Sequence, residues 1–414
     1  MSADRRVAIT GIGVAGPWHS DADDFFSRML AGESAVRMHE RDEDHLAISI
    51  PGVNWDDFNA FTELGGNIST LDRAGQLGLL AARKAWQQAG RPPSDAPLRS
   101  GAVYWGTALA GTLTFERGYR EMYLHQRRRV PPLSLLLGMN NTAASHIAIE
   151  HKLGGACLTY TIACAAAATA IGEAYRRIRR GESDVAICGG SDSPMSLGVV
   201  RAWEALRVLA DAEPHGASAA CRPFATDRTG LVLGEGAAAL VLEDWDTALA
   251  RGATILAELA GYGCSSDADH LVRPSADGQV HAMQQALGDA GLDVAQIGYI
   301  NAHGTATPEG DPIEIDAIRQ VFGPHAENLP VSATKSMHGH MMGATGAIEA
   351  VICVQALRQG KLPPTAHLES LDPACEGVRH IREHALEAPI DACISNAFAF
   401  GGSNAVLAFR RATH

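Results

Sequence analysis

Cys164 stands in the run Thr161-Ile162-Ala163-Cys164-Ala165-Ala166-Ala167-Ala168-Thr169-Ala170, a cysteine followed by four alanines at the expected start of a long helix. Unpaired backbone N–H groups and the positive end of the helix dipole favour a thiolate there, which would make Cys164 a nucleophile. A small buried cysteine packed as a hydrophobe is the other reading of the same run. Two histidine segments bear on the choice. Asn301-Ala302-His303-Gly304-Thr305-Ala306-Thr307-Pro308-Glu309-Gly310-Asp311 puts His303 at the C-terminal end of a strand, in a loop where glycine lets backbone approach a ligand. Ser332-Ala333-Thr334-Lys335-Ser336-Met337-His338-Gly339-His340 leaves another strand into glycine-rich chain just before a buried helix. Three strand exits thus carry Cys164, His303, and Lys335 with His340, and their coincidence favours chemistry over packing.

These residues need a scaffold of alternating elements. Short apolar or β-branched runs predict strands at Arg6 to Thr10, Asp184 to Cys188, Ala237 to Leu242, Gly298 to Asn301, Pro330 to Ala333, Ala392 to Ser395 and Ala405 to Phe409. Helices are predicted over 21–31, 73–89, 164–180, 278–290, 312–321 and 343–358, which together give an α/β fold around buried sheets. The mildest boundary falls at Arg251-Gly252, after the acidic run Glu243-Asp244-Trp245-Asp246, and divides the chain into halves 1–251 and 252–414. An internal echo supports duplication: Ala170-Ile171-Gly172-Glu173-Ala174 runs on to Gly181, and Ala347-Ile348-Glu349-Ala350 runs on to Gly360.

At 414 residues, with 46% hydrophobic and 20% charged, the chain is long enough for two domains or one large duplicated fold and is not disordered. Its 34 basic against 47 acidic residues give a net charge of −13, which argues against a broad nucleic-acid surface. The eight cysteines show no C-x-x-C pairing and read as reduced, with neither a disulfide frame nor a metal site. No secretory signal and no apolar run of ~18 residues is evident, so a cytoplasmic protein without a membrane span is expected.

Gly11-Ile12-Gly13-Val14-Ala15-Gly16 matches the dinucleotide pattern G-x-G-x-x-G but lacks its context. Pro17 follows at once, the helix is read as starting near Ser20, and Asp21, Asp23 and Asp24 in its first turn would repel a phosphate. A glycine-lined strand-to-helix turn is expected instead.

With these segments in place, the chain resembles a β-ketoacyl-acyl carrier protein synthase of the thiolase superfamily, most like the elongating ketosynthases of type II fatty-acid and polyketide systems. The resemblance runs from Val7-Ala8-Ile9-Thr10-Gly11-Ile12-Gly13 to Ala397-Phe398-Ala399-Phe400-Gly401-Gly402-Ser403-Asn404. It implies a thiolase-like five-layered αβαβα fold of two similar halves, active as a homodimer or as a heterodimer with a chain-length-factor-like subunit. It also implies that Cys164 accepts the acyl group, that His303 and His340 act at the malonyl thioester, and that Lys335 joins the catalytic set. Thr305 and Thr307 match positions that hold a phosphopantetheine arm; Phe400, Ala399, Gly401 and Gly402 match the gate, with the Cys164 and Phe400 amides as oxyanion donors. Asp311 and Glu314 match the acidic pair of the network around the lysine, with Asn404 in the same supporting shell, and Leu109 and Trp203 align with the acyl pocket.

The implied reaction is a decarboxylative Claisen condensation of the acyl group on cysteine with malonyl-acyl carrier protein, with no bound cofactor and no metal. Acyl carrier protein is the implied partner, docked by Arg127, Arg128, Arg129 and Arg207. Ala399 replaces the usual first glycine of the gate, and a Cβ there disfavours positive φ, so altered gating is expected. Two other readings stay open: a non-catalytic chain-length-factor-like subunit, which would lack the nucleophile, and a thiolase or initiating synthase, for which Asn rather than His340 would be expected.

Overall fold

A computed structural model describes residues 5–18, 21–43, 46–65, 68–93 and 95–413. Eleven strands join into one hydrogen-bonded sheet: β1 (Val7–Ala15), β2 (Gly101–Gly106), β3 (Cys157–Tyr160), β4 (Val185–Asp192), β5 (Gly236–Asp244), β6 (Ala257–Ser266), β7 (Ile297–Asn301), β8 (Pro330–Ser332), β9 (Arg379–His380), β10 (Ala392–Ala399) and β11 (Ser403–Arg410). The seven strands predicted from sequence all appear. β1, β4 and β5 are buried along their whole length, as strands covered on both faces must be, which is why they read as continuous apolar runs. β6 was not predicted, because glycine and serine interrupt its apolar residues. The pair Arg37–Glu43 with Leu46–Val53, in a separate small sheet, was not predicted either; its first strand, rich in charge, offers no apolar run.

The strand order is β9-β8-β7-β10-β11-β6-β1-β5-β4-β2-β3. Read outward from the β1/β6 contact, each half repeats one plan. β1 pairs antiparallel with β5, β5 with β4, and β4 and β2 continue in parallel to β3. β6 pairs antiparallel with β11, β11 with β10, and β10 and β7 continue in parallel to β8. The halves meet where Val7 faces Leu259.

Helices fill the layers. α1 (Arg73–Gln88) covers β1 and β5 from outside, and α3 (Ala276–Ala290) covers β6 and β11, with α4 (Gly310–Phe322) beside it. Between the halves lie α2 (Ala166–Arg179) and α5 (Thr345–Gln359); α5 is buried on every side except its last turn. This is the five-layered thiolase-like arrangement. The glycines closing α2 and α5, Gly181 and Gly360, are 179 positions apart, and so are Ala163 and Met342, which precede the two helices with φ of 40° and 49°. The Ala-Ile echo seen in sequence is out of that register by two residues.

The glycine pattern near the N-terminus has a packing cause. Gly11 and Gly13 lie inside β1, not in a turn as expected, and a Cβ on them would come within 2.1 Å of the Ala85 carbonyl oxygen and 2.2 Å of the Ala81 carbonyl oxygen of α1. Gly261 and Gly263 of β6 meet Ala286 and Ala282 of α3 in the same way, at 2.4 and 2.0 Å. Helix and strand backbones touch there, leaving no space for a phosphate. Ser20 lies outside the described residues; the next helix, Ala22–Leu30, is capped by Asp21, whose carboxylate accepts from the Asp23 and Asp24 amides.

Candidate active site

Cys164 sits in a short turn of 3-10 helix, Ala163–Ala165, that runs directly into α2. The alanines after it are small because α2 is pressed against β2 and α5: a Cβ on Gly106 would reach 2.3 Å from the Ala167 nitrogen, and one on Gly346 would reach 2.9 Å from Ala168. The backbone N–H groups of Cys164 and Phe400 pull the Cys164 thiol downward, a smaller effect than its burial. His340 Nε2 lies 3.0 Å from the same sulfur, and its Nδ1 is 2.9 Å from Thr345 Oγ1 at the start of α5. The ring of His303 stands edge-on to that of His340, centroids 5.5 Å apart. Cys164, His303 and His340 are therefore one buried cluster.

Burial decides the protonation states. It pushes the Cys164 thiol up to about 12, against a downward pull from Lys335, so the resting residue is a thiol and not the thiolate expected from the helix start. The dipole and two amides are outweighed by loss of solvent. The same burial, helped by Lys335, holds His303 and His340 well below the usual imidazole range and hence neutral. Ala306, Ala163 and Met342 adopt positive φ in the chain that leads into or out of this cluster, which is stabilised by its surroundings rather than by residue preference.

Lys335 is completely buried, and its ammonium donates to the His303 carbonyl oxygen and to Glu349 Oε1, the latter at 2.5 Å. Glu349, which is not one of the expected acidic pair Asp311 and Glu314, is its ion-pair partner. Asp311 instead accepts from the Phe224 amide at 2.8 Å and faces Arg228 at 3.6 Å, because α4 turns it toward the 222–228 loop. Glu314 takes the His303 and Gly304 amides, each at 2.8 Å, and so orients the histidine loop. Glu349 was visible in sequence as a lone carboxylate in an apolar helix, but nothing in one sequence pairs it with a lysine.

A cavity of about 410 Å³ opens onto Cys164, His303 and His340. Thr305 and Thr307 line it with their hydroxyl oxygens 3.1 Å apart, and Arg207 and Arg273 lie in its wall. Trp203 and Phe400 also line it and stack at 5.8 Å between centroids. Leu109 does not line this cavity; it packs with Cys164, Met195, Val200 and Met342 in the apolar cluster behind the sulfur. The gate departs from expectation as well. Ala399 ends β10 paired with Ser403, and positive φ falls on Gly401 and Gly402, at 90° and 74°, so the alanine carries no backbone strain in this conformation. Asn404 ties the gate down through Asp267 at 2.7 Å. Arg127, Arg128 and Arg129 are exposed outside the cavity wall, with Arg127 3.3 Å from Glu121.

His338, absent from the expected set, is buried with Nδ1 2.8 Å from the Gly339 carbonyl oxygen and Nε2 3.0 Å from Thr334 Oγ1, so both nitrogens are used in holding the loop.

Known proteins resemble this chain in sequence and in fold. The family described as "Beta-ketoacyl synthase, N-terminal domain" matches residues 4–248, and "Beta-ketoacyl synthase, C-terminal domain" matches residues 256–369. The chain is 42% identical over 409 residues to nodulation protein E of Rhizobium sp. (strain N33), covering 99% of this chain and all of the relative. It is 35% identical over 418 residues to 3-oxoacyl-[acyl-carrier-protein] synthase 2 of Staphylococcus aureus (strain N315), covering 99% of both. Among solved structures, the ishigamide ketosynthase/chain length factor superposes with a TM-score of 0.91 at 32% identity, over 99% of this chain and all of that one.

Proposed function

Because the chain belongs to the β-ketoacyl synthase family, we propose that it condenses an acyl group held on Cys164 with malonyl-acyl carrier protein, giving a β-ketoacyl-acyl carrier protein. The family makes it an acyltransferase-type condensing enzyme, an elongation-type ketosynthase of fatty-acid or polyketide synthesis. The observation that carries the finer reading is the meeting of the Cys164 sulfur, the His340 ring 3.0 Å from it and the His303 ring edge-on to that in one buried cluster.

The steps follow from that geometry. Sγ attacks the carbonyl of an acyl thioester, the oxyanion is held by the Cys164 and Phe400 amides, and the carrier leaves as a thiol bearing the proton that Sγ gave up. Malonyl-carrier then enters past Thr305 and Thr307. Its carboxyl carbon leaves as carbon dioxide, and the enolate oxygen is stabilised by N–H groups of His303 and His340, which burial keeps neutral. The enolate carbon attacks the acyl carbonyl, the Sγ–carbon bond breaks, and Cys164 regains one proton. Lys335 acts through its contacts: it fixes the His303 backbone and adds positive charge near the sulfur. No step needs a metal or a bound cofactor; substrates arrive on the carrier's phosphopantetheine arm.

The partner readings belong to the same proposal. Arg207 at the cavity and the exposed Arg127–Arg129 run offer positive charge on an acidic chain, suited to an acidic carrier protein. β3 ends the sheet, and Leu158 on it and Ile149 on the helix packed against it are 42% and 64% exposed, which supports pairing with a second copy or a related subunit there. A division into halves at 251/252 and a cytoplasmic location, consistent with eight free cysteines, complete the reading. Cys164 with both histidines favours a synthase over a non-catalytic partner. Mixing the protein with acyl-carrier and malonyl-carrier and weighing the carrier species tests this: a product two carbons longer with a β-keto group is expected, and carrier masses unchanged after enzyme addition would refute it.

A further inference from the structure

Asp192 ends β4 and is fully buried. Its carboxylate has four neutral donors: Thr107 Oγ1 at 2.8 Å and the Leu109 amide at 2.9 Å on one oxygen, and the Ala108 and Gly343 amides, each at 2.7 Å, on the other. A buried carboxylate without a paired cation is costly, and four hydrogen bonds are what make it tolerable.

The donors come from both halves of the fold. Thr107, Ala108 and Leu109 leave β2, and Gly343 lies in the turn before α5. That turn is built around the carboxylate: a Cβ on Gly343 would come within 2.6 Å of Asp192 Oδ2 and 2.4 Å of the Ala108 nitrogen. The second half has a counterpart. Glu314 takes the amides of His303 and Gly304, which follow β7 at the same two places where Ala108 and Leu109 follow β2. One buried carboxylate orients the histidine loop, and the other orients the loop behind the cysteine, where Ala108, Leu109 and Met342 pack in one cluster with Cys164.

We propose that Asp192 is a positioning residue of the acyl-accepting site, clamping the loop that carries Leu109 to the turn that carries Met342 so that the wall behind Cys164 keeps its shape. Its charge has a second effect, since it opposes Lys335 and pushes the Cys164 thiol upward. The other titratable groups facing that thiol are His303 and His340, both neutral. The proposal rests on Cys164 as the acyl acceptor. Its test therefore reads the thiol without any acyl donor.

Iodoacetamide alkylation of Cys164, followed by peptide mass across pH 7 to 10, compares wild type with Asp192→Asn and Asp192→Glu. In Asp192→Asn, loss of charge and clamp should raise the rate at a given pH roughly three- to tenfold and move the profile to lower pH. Asp192→Glu, which keeps the charge, should retain the wild-type pH profile, while the KM for the acyl donor rises in both variants. A wild-type alkylation profile in folded Asp192→Asn overturns the proposal. If that variant does not fold, Thr107→Val, which removes one donor and keeps the charge, should loosen the clamp and raise alkylation at every pH without moving the profile to lower pH, and an unchanged rate there overturns it equally. Altered alkylation with no condensation in wild type would leave the clamp standing and remove the proposed reaction instead.

Discussion

His340 Nε2 lies 3.0 Å from Cys164 Sγ, although the two residues belong to different halves of the fold. The contact exists because α2 and α5, the two buried central helices, start at the same end of the molecule, each preceded by a residue with positive φ. A thiol that burial pushes up to about 12 must give up its proton during acyl transfer, and that proton leaves on the departing carrier thiol.

Cys164 should therefore react slowly with iodoacetamide at pH 7, because the thiolate fraction is small when the thiol lies above its ordinary range. The rate should climb through pH 9 and beyond. Rapid alkylation with a midpoint near pH 7 would show that the helix start, not burial, governs this sulfur.

Replacing Lys335 by Met removes the cation that lowers both histidines and leaves Glu349 buried without a partner. The imidazoles should then protonate at higher pH, so the acid limb of malonyl decarboxylation shifts upward in pH. Stability should drop by about 3–5 kcal/mol in urea unfolding, the range for breaking a buried pair. Unchanged acid limb and unchanged midpoint would show that the lysine is not coupled to the histidines.

Gly13→Ala should destabilise by about 1–3 kcal/mol or more, since its Cβ would fall 2.2 Å from the Ala81 carbonyl oxygen and force α1 off β1. Thermal unfolding checks this. A wild-type Tm would mean that helix and strand are not in backbone contact.

Charge reversal at Arg207, and separately across Arg127–Arg129, should lower kcat/KM for carrier-bound acyl donors while leaving turnover of a short pantetheine thioester unchanged. Added salt should reproduce the loss in wild type, because attraction between exposed charges is screened over ~8 Å at physiological ionic strength. Carrier kinetics identical to wild type in both variants would remove these arginines from docking.

The residues legible in the sequence were those announced by their local context. Cys164 opens an alanine helix, and His303, Lys335 and His340 follow strand ends into glycine-rich chain, so type and position pointed the same way. What stayed hidden depends on contacts between distant segments. Glu349 and Asp192 are carboxylates in apolar elements, and their roles come from a lysine of another helix and from amides 83, 84 and 151 positions away. The thiolate expected at Cys164 is opposed for a related reason: the helix start is a local feature, while the burial that pushes the thiol upward is made by both halves. Altered gating was expected from Ala399 because the motif places glycine there, whereas positive φ falls on the two glycines after Phe400.

The most direct test of the account is to incubate the protein with an acyl-carrier donor, digest it, and locate the acyl group by peptide mass before and after malonyl-carrier is added. The account predicts an acyl group on Cys164 alone, discharged on malonyl addition in wild type, and retained in His303→Ala and His340→Ala, where decarboxylation should slow by ~100-fold or more. Acyl groups found on Cys157 or Cys188, or discharge at the wild-type rate in both histidine variants, would contradict it.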